Sequence, residues 1–269
     1  MSKKITLFFP KRTIAISLTG AYCSLNCAHC GGYYLRSMKP PGKAEDIIKN
    51  YDSALISGGC KPDGSVPLLE NLSFIDRIKR KNLQLNFHTG LIDENCIRKI
   101  KPYVDTISFD FVVDDETIEE VYGFPATGKD YLRTYRLLRE NFKVVPHINI
   151  GLLGGELKGE RKALQMLREA GAEKIVFLVF IPTRGTIYEK RNPPPLDKTK
   201  EIFEFARTLF PEIPLHLGCM HPRGEYKKVL ERIAIDAGFD GIVNPTKNIQ
   251  DEIRKRGLLI EEGLECCVL

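Results

Sequence analysis

A chain of 269 residues with 43% hydrophobic content is long enough to bury a full core, and single-domain α/β barrels are commonly of this size. The apolar stretch ITLFF before Pro10 is shorter than the roughly 7 to 15 residues of a signal-peptide core, and no apolar run approaches the about 20 residues that span a bilayer. The net charge of +5 comes from 40 basic and 35 acidic residues without a basic stripe interleaved with aromatics. We therefore expect one cytoplasmic domain, residues 1–269, with neither a membrane nor a nucleic acid as partner.

Short β-rich segments alternate with longer segments of helical period from residue 13 onward. This alternation is typical of parallel strands joined by helical crossovers, and eight such segments predict an α/β fold, a (β/α)8 barrel of the TIM type. In such barrels the carboxyl ends of the strands carry the functional site. The predicted strands lie within residues 13–20, 53–59, 83–90, 104–113, 144–153, 174–183, 214–220 and 239–245.

Three cysteines, Cys23, Cys27 and Cys30, fall on one short loop, residues 21–36, directly after the first predicted strand. Thiolates are soft ligands that suit iron-sulfur clusters and zinc. A structural zinc site normally has four ligands, often from two pairs, and no second pair lies near this triplet. A [4Fe-4S] cluster held by three cysteines instead leaves one iron open, so the loop predicts such a cluster.

The Cys-x-x-x-Cys-x-x-Cys loop after the first strand of a βα barrel resembles that of the radical S-adenosylmethionine (SAM) superfamily. The resemblance implies that the open iron of the [4Fe-4S] cluster binds SAM and that one-electron reduction yields a 5′-deoxyadenosyl radical. It also implies a SAM-binding surface made of the residue before the third cysteine, the end of the second strand and the Gly-rich segment GLLGGELKGE. The cofactor-binding residues so implied are His29, Ser57, Gly58, Gly59, Gly151 and Glu160.

Five further cysteines lie outside the triplet. Cys96, within a predicted helix, is expected to be a small packed apolar residue. The others lie at strand ends or in the C-terminal tail, and a vicinal pair in a tail is not required by packing. We predict that a second, auxiliary iron-sulfur cluster is bound by some of them, with the tail, residues 258–269, folding over the barrel mouth. These candidate ligands are Cys60, Cys219, Cys266 and Cys267.

Several charged or titratable residues also fall at predicted strand ends. Arg223, shortly after Cys219, could neutralise a cluster or bind a SAM carboxylate. Five more residues could line the barrel mouth and either contact substrate or make structural hydrogen bonds, and the sequence leaves both roles open: His88, Asp110, His147, Arg184 and His221.

The chain from Ile14 to its end also resembles the biotin synthase-like subgroup, in stretches such as ISGGCKPDGSVPL, HTGLIDE, IPTRGT and LGCMHPRGEY. It is similar to a branch implicated as one component of a two-protein lipoyl synthase. That resemblance implies sulfur insertion into a protein-bound octanoyl chain. The partners so implied are a second radical SAM protein, a lipoyl carrier protein or octanoyl-lysine peptide, and an electron donor such as a ferredoxin. The three-cysteine and arginine set of biotin synthase has no counterpart here, so desthiobiotin is less expected.

Two alternatives remain open from the sequence. One is a radical SAM mutase or a methylation-type enzyme of cofactor assembly, which predicts a single cluster. The other is a non-catalytic metal-binding protein, with zinc on the triplet and a fourth residue.

Overall fold

The computed structural model describes residues 4–269, which form ten strands and nine α-helices. The strands are β1 (Lys4–Phe8), β2 (Thr13–Ser17), β3 (Ser53–Ser57), β4 (Gln84–His88), β5 (Thr106–Asp110), β6 (Val144–Ile150), β7 (Ile175–Val179), β8 (Leu215–Leu217), β9 (Gly241–Val243) and β10 (Leu259–Gly263). The helices are α1 (Pro41–Ile47), α2 (Leu72–Lys79), α3 (Glu94–Ile100), α4 (Asp115–Tyr122), α5 (Gly128–Arg139), α6 (Glu160–Glu169), α7 (Leu196–Leu209), α8 (Glu225–Asp236) and α9 (Lys247–Lys255). No helix in residues 4–269 is long and apolar enough to cross a membrane.

All ten strands belong to one sheet in the order β10-β1-β9-β8-β7-β6-β5-β4-β3-β2, and every neighbouring pair is parallel. The eight strands from β2 to β9 lie in the predicted segments, which confirms the α/β prediction. The outer pair, β1 and β10, was not predicted. The sheet is curled, but its edge strands β10 and β2 are not paired with each other, so the closed eight-stranded barrel is replaced by an open ten-stranded sheet.

The two faces of the sheet differ in polarity because successive side chains of a strand point to opposite sides. In β6, Val144 and Ile148 belong to the main core, which also contains apolar residues of the surrounding helices. Val145 of the same strand packs on the opposite face, which we call the inner face. The polar residues of β6, His147 and Asn149, alternate with the core positions and share this inner face. Helix-covered parallel strands are usually apolar on both faces, so a polar inner face indicates space for a ligand.

Helices α3 and α4, which follow the carboxyl ends of β4 and β5, each begin at a side-chain N-cap. Asp93 accepts a hydrogen bond from the amide of Cys96 at 2.8 Å and caps α3. Asp114 accepts from the amide of Thr117 at 2.9 Å and caps α4. A cap of this kind contributes about 1 kcal/mol, so these Asp residues help to fix where the site-bearing loops end.

The tail after β10 enters the inner face at the amino ends of the strands. Lys174, just before β7, donates to the carbonyl of Cys267 at 3.0 Å, and Lys143, just before β6, donates to the carbonyl of Leu269 at 3.4 Å. Val268 is fully buried against valines of β6, β7 and β9. The prediction that residues 258–269 cover the mouth at the carboxyl ends is therefore wrong. The tail binds at the opposite end because that end offers apolar inner positions for Val268 and lysines for its carbonyls.

Candidate metal and cofactor site

The cysteine loop follows β2 and is held by hydrogen bonds from distant parts of the chain. The amide of Ala28 donates to the carbonyl of Val121 in α4 at 2.7 Å, and the amide of Tyr188, beyond β7, donates to the carbonyl of Ala28 at 3.1 Å. Asn26 adopts a left-handed backbone with φ of 48°, a conformation that asparagine tolerates better than most residues. The chain's own hydrogen bonds thus hold the loop against α4 and the segment after β7.

The carboxyl end of β3 packs directly on this loop. A Cβ atom at Gly59 would lie 1.9 Å from the carbonyl oxygen of Tyr22 and 2.5 Å from Cα of Cys23, so only glycine fits. The amide of Ser24 also donates to the carbonyl of Cys60 at 2.9 Å. The close approach required of Gly59 is therefore to the cysteine loop, and it brings Cys60 beside the triplet.

The three thiols of the triplet form a donor set suited to an iron-sulfur cluster. Cys27 is buried, whereas Cys23 and Cys30 are partly exposed. A hydrogen bond with Cys27 lowers the pKa of Cys30 to about 6, with burial opposing the shift and His29 assisting it. Cys30 can therefore supply a thiolate near neutral pH, the form that binds iron.

The spacing of the thiols does not suit a single tetrahedral ion. Thiolates bound to one zinc ion at about 2.3 Å lie about 3.8 Å apart. Among residues 4–269, the cysteine triplet is not a group whose ligand atoms all lie within 4.8 Å of one another. A [4Fe-4S] cluster binds each cysteine at a separate iron, so it does not require the three sulfurs to meet at one ion.

The residues predicted to receive SAM at the end of the second predicted strand lie next to the cysteine loop. The carbonyl of Ser57 accepts from the amide of Leu18 at 2.8 Å, and the amide of Gly59 donates to the hydroxyl of Thr19 at 2.7 Å. Gly58 lies between them, and a Cβ there would meet neighbours no closer than 3.4 Å. His29, on the loop itself, packs edge-on against Tyr122 with ring centroids 5.9 Å apart. The end of β3 therefore lies beside the loop that carries His29, and the contact of these residues with SAM stays a prediction.

In the second predicted SAM-binding stretch, GLLGGELKGE, Gly151 and Glu160 contact other residues of the chain. The carboxylate of Glu160 accepts from the amide of Gly151 at 2.9 Å, and burial raises the pKa of Glu160. Gly151 has φ of 70°, and a Cβ there would contact the ring of Pro194 at 2.8 Å. This pair therefore fixes the turn after β6, and its predicted contact with the SAM ribose stays a prediction. Arg223 lies exposed between β8 and α8 and makes no hydrogen bond or ion pair with the rest of the described chain.

The four candidate ligands of an auxiliary cluster do not form one group. Burial, followed by the charge of Cys23, raises the pKa of Cys60 to about 12, which identifies Cys60 as a neighbour of the triplet. Cys219 is exposed after β8, and its thiol lies near enough to Cys266 for the charge of Cys266 to act on it. A hydrogen bond with Cys266 raises the pKa of Cys267, and the charge of Cys219 adds to this increase. The structure thus separates Cys60 from the set made by Cys219 and the tail pair. Cys96 is buried in the main core, as predicted.

A group of titratable residues that the sequence treats separately converges on the inner face. His88 and Asp110 end the strands β4 and β5, and His147 lies in the middle of the adjacent strand β6, in register with Asp110. Their ligand atoms all lie within 4.8 Å of one another. The sequence places each of the three residues within or at the end of a predicted strand, but it does not show the register that brings their side chains together.

No protein-family model and no curated protein matches the chain. Solved structures do match: methylornithine synthase, PylB, has a TM-score of 0.63 at 14% identity, covering 96% of this chain and 84% of PylB. The chain has the fold of that protein. The [FeFe]-hydrogenase maturase HydG from Carboxydothermus hydrogenoformans has a TM-score of 0.68 at 14% identity, covering 96% of this chain and 68% of HydG. Streptococcus suis SuiB bound to S-adenosylmethionine has a TM-score of 0.58 at 15% identity, covering 84% of this chain and 52% of SuiB.

Proposed function

We propose that this chain is a radical SAM enzyme that holds a [4Fe-4S] cluster on Cys23, Cys27 and Cys30. The observation that carries the proposal is the position of the triplet, on a hydrogen-bonded loop at the carboxyl edge of a curled parallel sheet with a polar inner face. The structural neighbours on this fold are radical SAM enzymes, and SuiB has been solved with SAM bound. When bound, the reduced cluster supplies the electron that cleaves SAM to a 5′-deoxyadenosyl radical.

The chain's own residues position the two cofactors and separate them from solvent. The loop presents the cysteines, and Gly59 at the end of β3 lets the strand pack directly against Tyr22 and Cys23 of that loop. We propose that His29, on the loop, and Ser57, at the end of β3, contribute to the SAM-binding surface. Burial of Cys27 excludes water from one side of the cluster, and solvent exposure and hydrogen bonds to sulfur set the reduction potential of such a cluster.

For the reaction itself we propose sulfur insertion into a protein-bound octanoyl chain, as a lipoyl synthase component, with an auxiliary iron-sulfur cluster as the sulfur source. Support comes from the cysteines that the triplet does not use. Cys219 lies within electrostatic range of Cys266 and Cys267, and Asn86 on the inner face donates toward the sulfur of Cys266 at 3.9 Å. Hydrogen bonding with Cys267 lowers the pKa of Cys266 to about 7, which favours a thiolate ligand. Cys60 lies by the triplet and is the weakest candidate.

The proposed partners follow from the same reaction. A second radical SAM protein would complete the two insertions, a ferredoxin-type donor would supply electrons, and the octanoyl chain would arrive on a lipoyl carrier protein or its lysine peptide. The net charge of +5 is compatible with docking of an acidic carrier.

The second candidate is a radical SAM mutase or methylation-type enzyme of cofactor assembly with one cluster. The similarity to methylornithine synthase, which covers most of both chains, favours it. A non-catalytic zinc protein is less favoured because the triplet is too widely spaced for one tetrahedral ion.

One experiment separates these candidates. After anaerobic reconstitution, two [4Fe-4S] clusters would give about eight iron and eight sulfide per chain, and one cluster about four. Sulfur insertion predicts about eight iron and eight sulfide per wild-type chain. It also predicts that Cys219→Ala and the double variant Cys266→Ala/Cys267→Ala each lose half of the iron. The control variant Cys96→Ala should keep all of it.

The same preparation is then given SAM, a reductant and an octanoyl-lysine peptide, with and without a second radical SAM protein. Sulfur insertion predicts peptide-dependent 5′-deoxyadenosine and a thiolated peptide. About four iron and indifference to the peptide would instead reject sulfur insertion and leave the single-cluster candidate.

A further inference from the structure

We propose that His88, Asp110 and His147 form a binding site for one divalent first-row metal ion on the inner face of the sheet, without a cysteine ligand. The ligand class is a cation such as Zn²⁺ or Fe²⁺, with a remaining position for water or an anionic group of a substrate. Two imidazoles and one carboxylate are the ligand set of many catalytic zinc and non-haem iron centres. This inference does not depend on which reaction the enzyme performs.

The distances fit a metal ion better than a hydrogen-bonded cluster. Nε2 of His88 lies 3.4 Å from Oδ2 of Asp110, and Nδ1 of His147 lies 3.8 Å from Oδ1 of Asp110. Hydrogen bonds between such atoms are shorter, about 2.7 to 3.2 Å. Ligand atoms that bind one tetrahedral ion at about 2.0 to 2.2 Å lie about 3.4 Å apart. The observed spacing is thus close to that required around an ion.

The two ring nitrogens are also unsatisfied. Nε2 of His88 and Nδ1 of His147 are both buried without a hydrogen-bond partner. Buried polar atoms normally have a partner, because an unpaired one costs about 1–3 kcal/mol. Both unpaired atoms face the same carboxylate, and a bound cation would satisfy both and balance its charge.

The side chains keep 32%, 12% and 42% of their surface accessible for His88, His147 and Asp110, which leaves an approach for a ligand from the inner face.

The test is cobalt binding to the full-length protein. The chain is reconstituted anaerobically with its clusters kept in the oxidised state, and equilibrium dialysis against CoCl₂ then gives the number of cobalt ions per chain and the dissociation constant. Pulsed electron paramagnetic resonance reports whether histidine nitrogen coordinates the cobalt. The variants are His147→Asn, His88→Asn and Asp110→Asn, each checked for unchanged iron, sulfide and circular dichroism.

His216→Asn is the matched control. His216 is a buried histidine of β8 with an unpartnered Nδ1, but it belongs to no group of three candidate ligands in residues 4–269. We expect one nitrogen-coordinated cobalt in the wild type and in His216→Asn, and roughly a hundredfold weaker binding in the three site variants. Absence of cobalt binding in the wild type, or equal binding in the wild type and in folded site variants, would overturn the assignment. Neither result would bear on SAM cleavage, which is measured separately.

Discussion

The substitution Gly59→Ala tests whether the end of β3 holds the cysteine loop in place. The added Cβ would lie 1.9 Å from Tyr22 O, 2.5 Å from Cys23 Cα and 2.7 Å from Cys23 Cβ. None of these atoms is the far end of a flexible side chain, so the loop itself must move. Gly58→Ala is the matched control, because its nearest neighbours lie at 3.4 Å.

The magnitude follows from the kind of contact. Overpacking that shifts backbone costs about 1–3 kcal/mol, and three contacts with atoms of the loop place Gly59→Ala near the upper end, about 3 kcal/mol. Gly58→Ala should change the free energy of unfolding by less than about 1 kcal/mol. Because the displaced atoms include Cys23, the iron content after reconstitution should also fall in Gly59→Ala and stay unchanged in Gly58→Ala.

Urea unfolding of the cluster-free chain measures the first effect, and iron and sulfide analysis with the visible absorbance of the cluster measures the second. Equal unfolding midpoints and equal iron contents for the two variants would refute the claim that β3 positions the loop. A loss of stability in Gly59→Ala with full iron would show that the packing matters for folding but not for the cysteine positions.

Three further outcomes are expected. Glu231 is fully buried and accepts a hydrogen bond from the amide of Thr246 at 2.9 Å. Glu231→Ala should therefore lower the free energy of unfolding by about 1–3 kcal/mol, and Glu231→Gln should lower it less. Equal urea midpoints for Glu231→Ala and the wild type would contradict this. Val268→Ala should lower the free energy of unfolding by about 2 kcal/mol, because Val268 is fully buried. Val229→Ala, at an exposed valine, should lower it by less than about 0.5 kcal/mol. Similar losses in both variants would mean that the tail does not pack as described. Cys96→Ala should leave iron, sulfide and SAM cleavage unchanged, and a loss of iron would place Cys96 among the ligands.

The strands from β2 to β9 and the cysteine loop could be predicted from the sequence because their signals are local. Buried parallel strands give short apolar runs bounded by turn residues, and three cysteines within eight positions need no tertiary structure to converge. The packing of Cys96 followed from its place in an amphipathic helix. These features depend on neighbours in sequence.

Features that depend on register or on distant contacts were missed. The strands β1 and β10 pair only with each other and with β9, and ITLFF alone does not show its partner. The tail's direction is decided by Lys143, Lys174 and the apolar inner positions around Val268, none of which is near the tail in sequence. The convergence of His88, Asp110 and His147 depends on the alignment of three neighbouring strands. Sequence reasoning found each residue but not the group.

The central claim is that the triplet holds a cluster that reductively cleaves SAM. The measurement is 5′-deoxyadenosine formation by the anaerobically reconstituted chain with SAM and a low-potential reductant, in parallel with Cys30→Ala and Cys96→Ala. The account predicts product from the wild type and from Cys96→Ala, with loss of both iron and product in Cys30→Ala. A wild type that contains a full cluster but forms no 5′-deoxyadenosine, or a Cys30→Ala chain that forms it at the wild-type rate, would contradict the account.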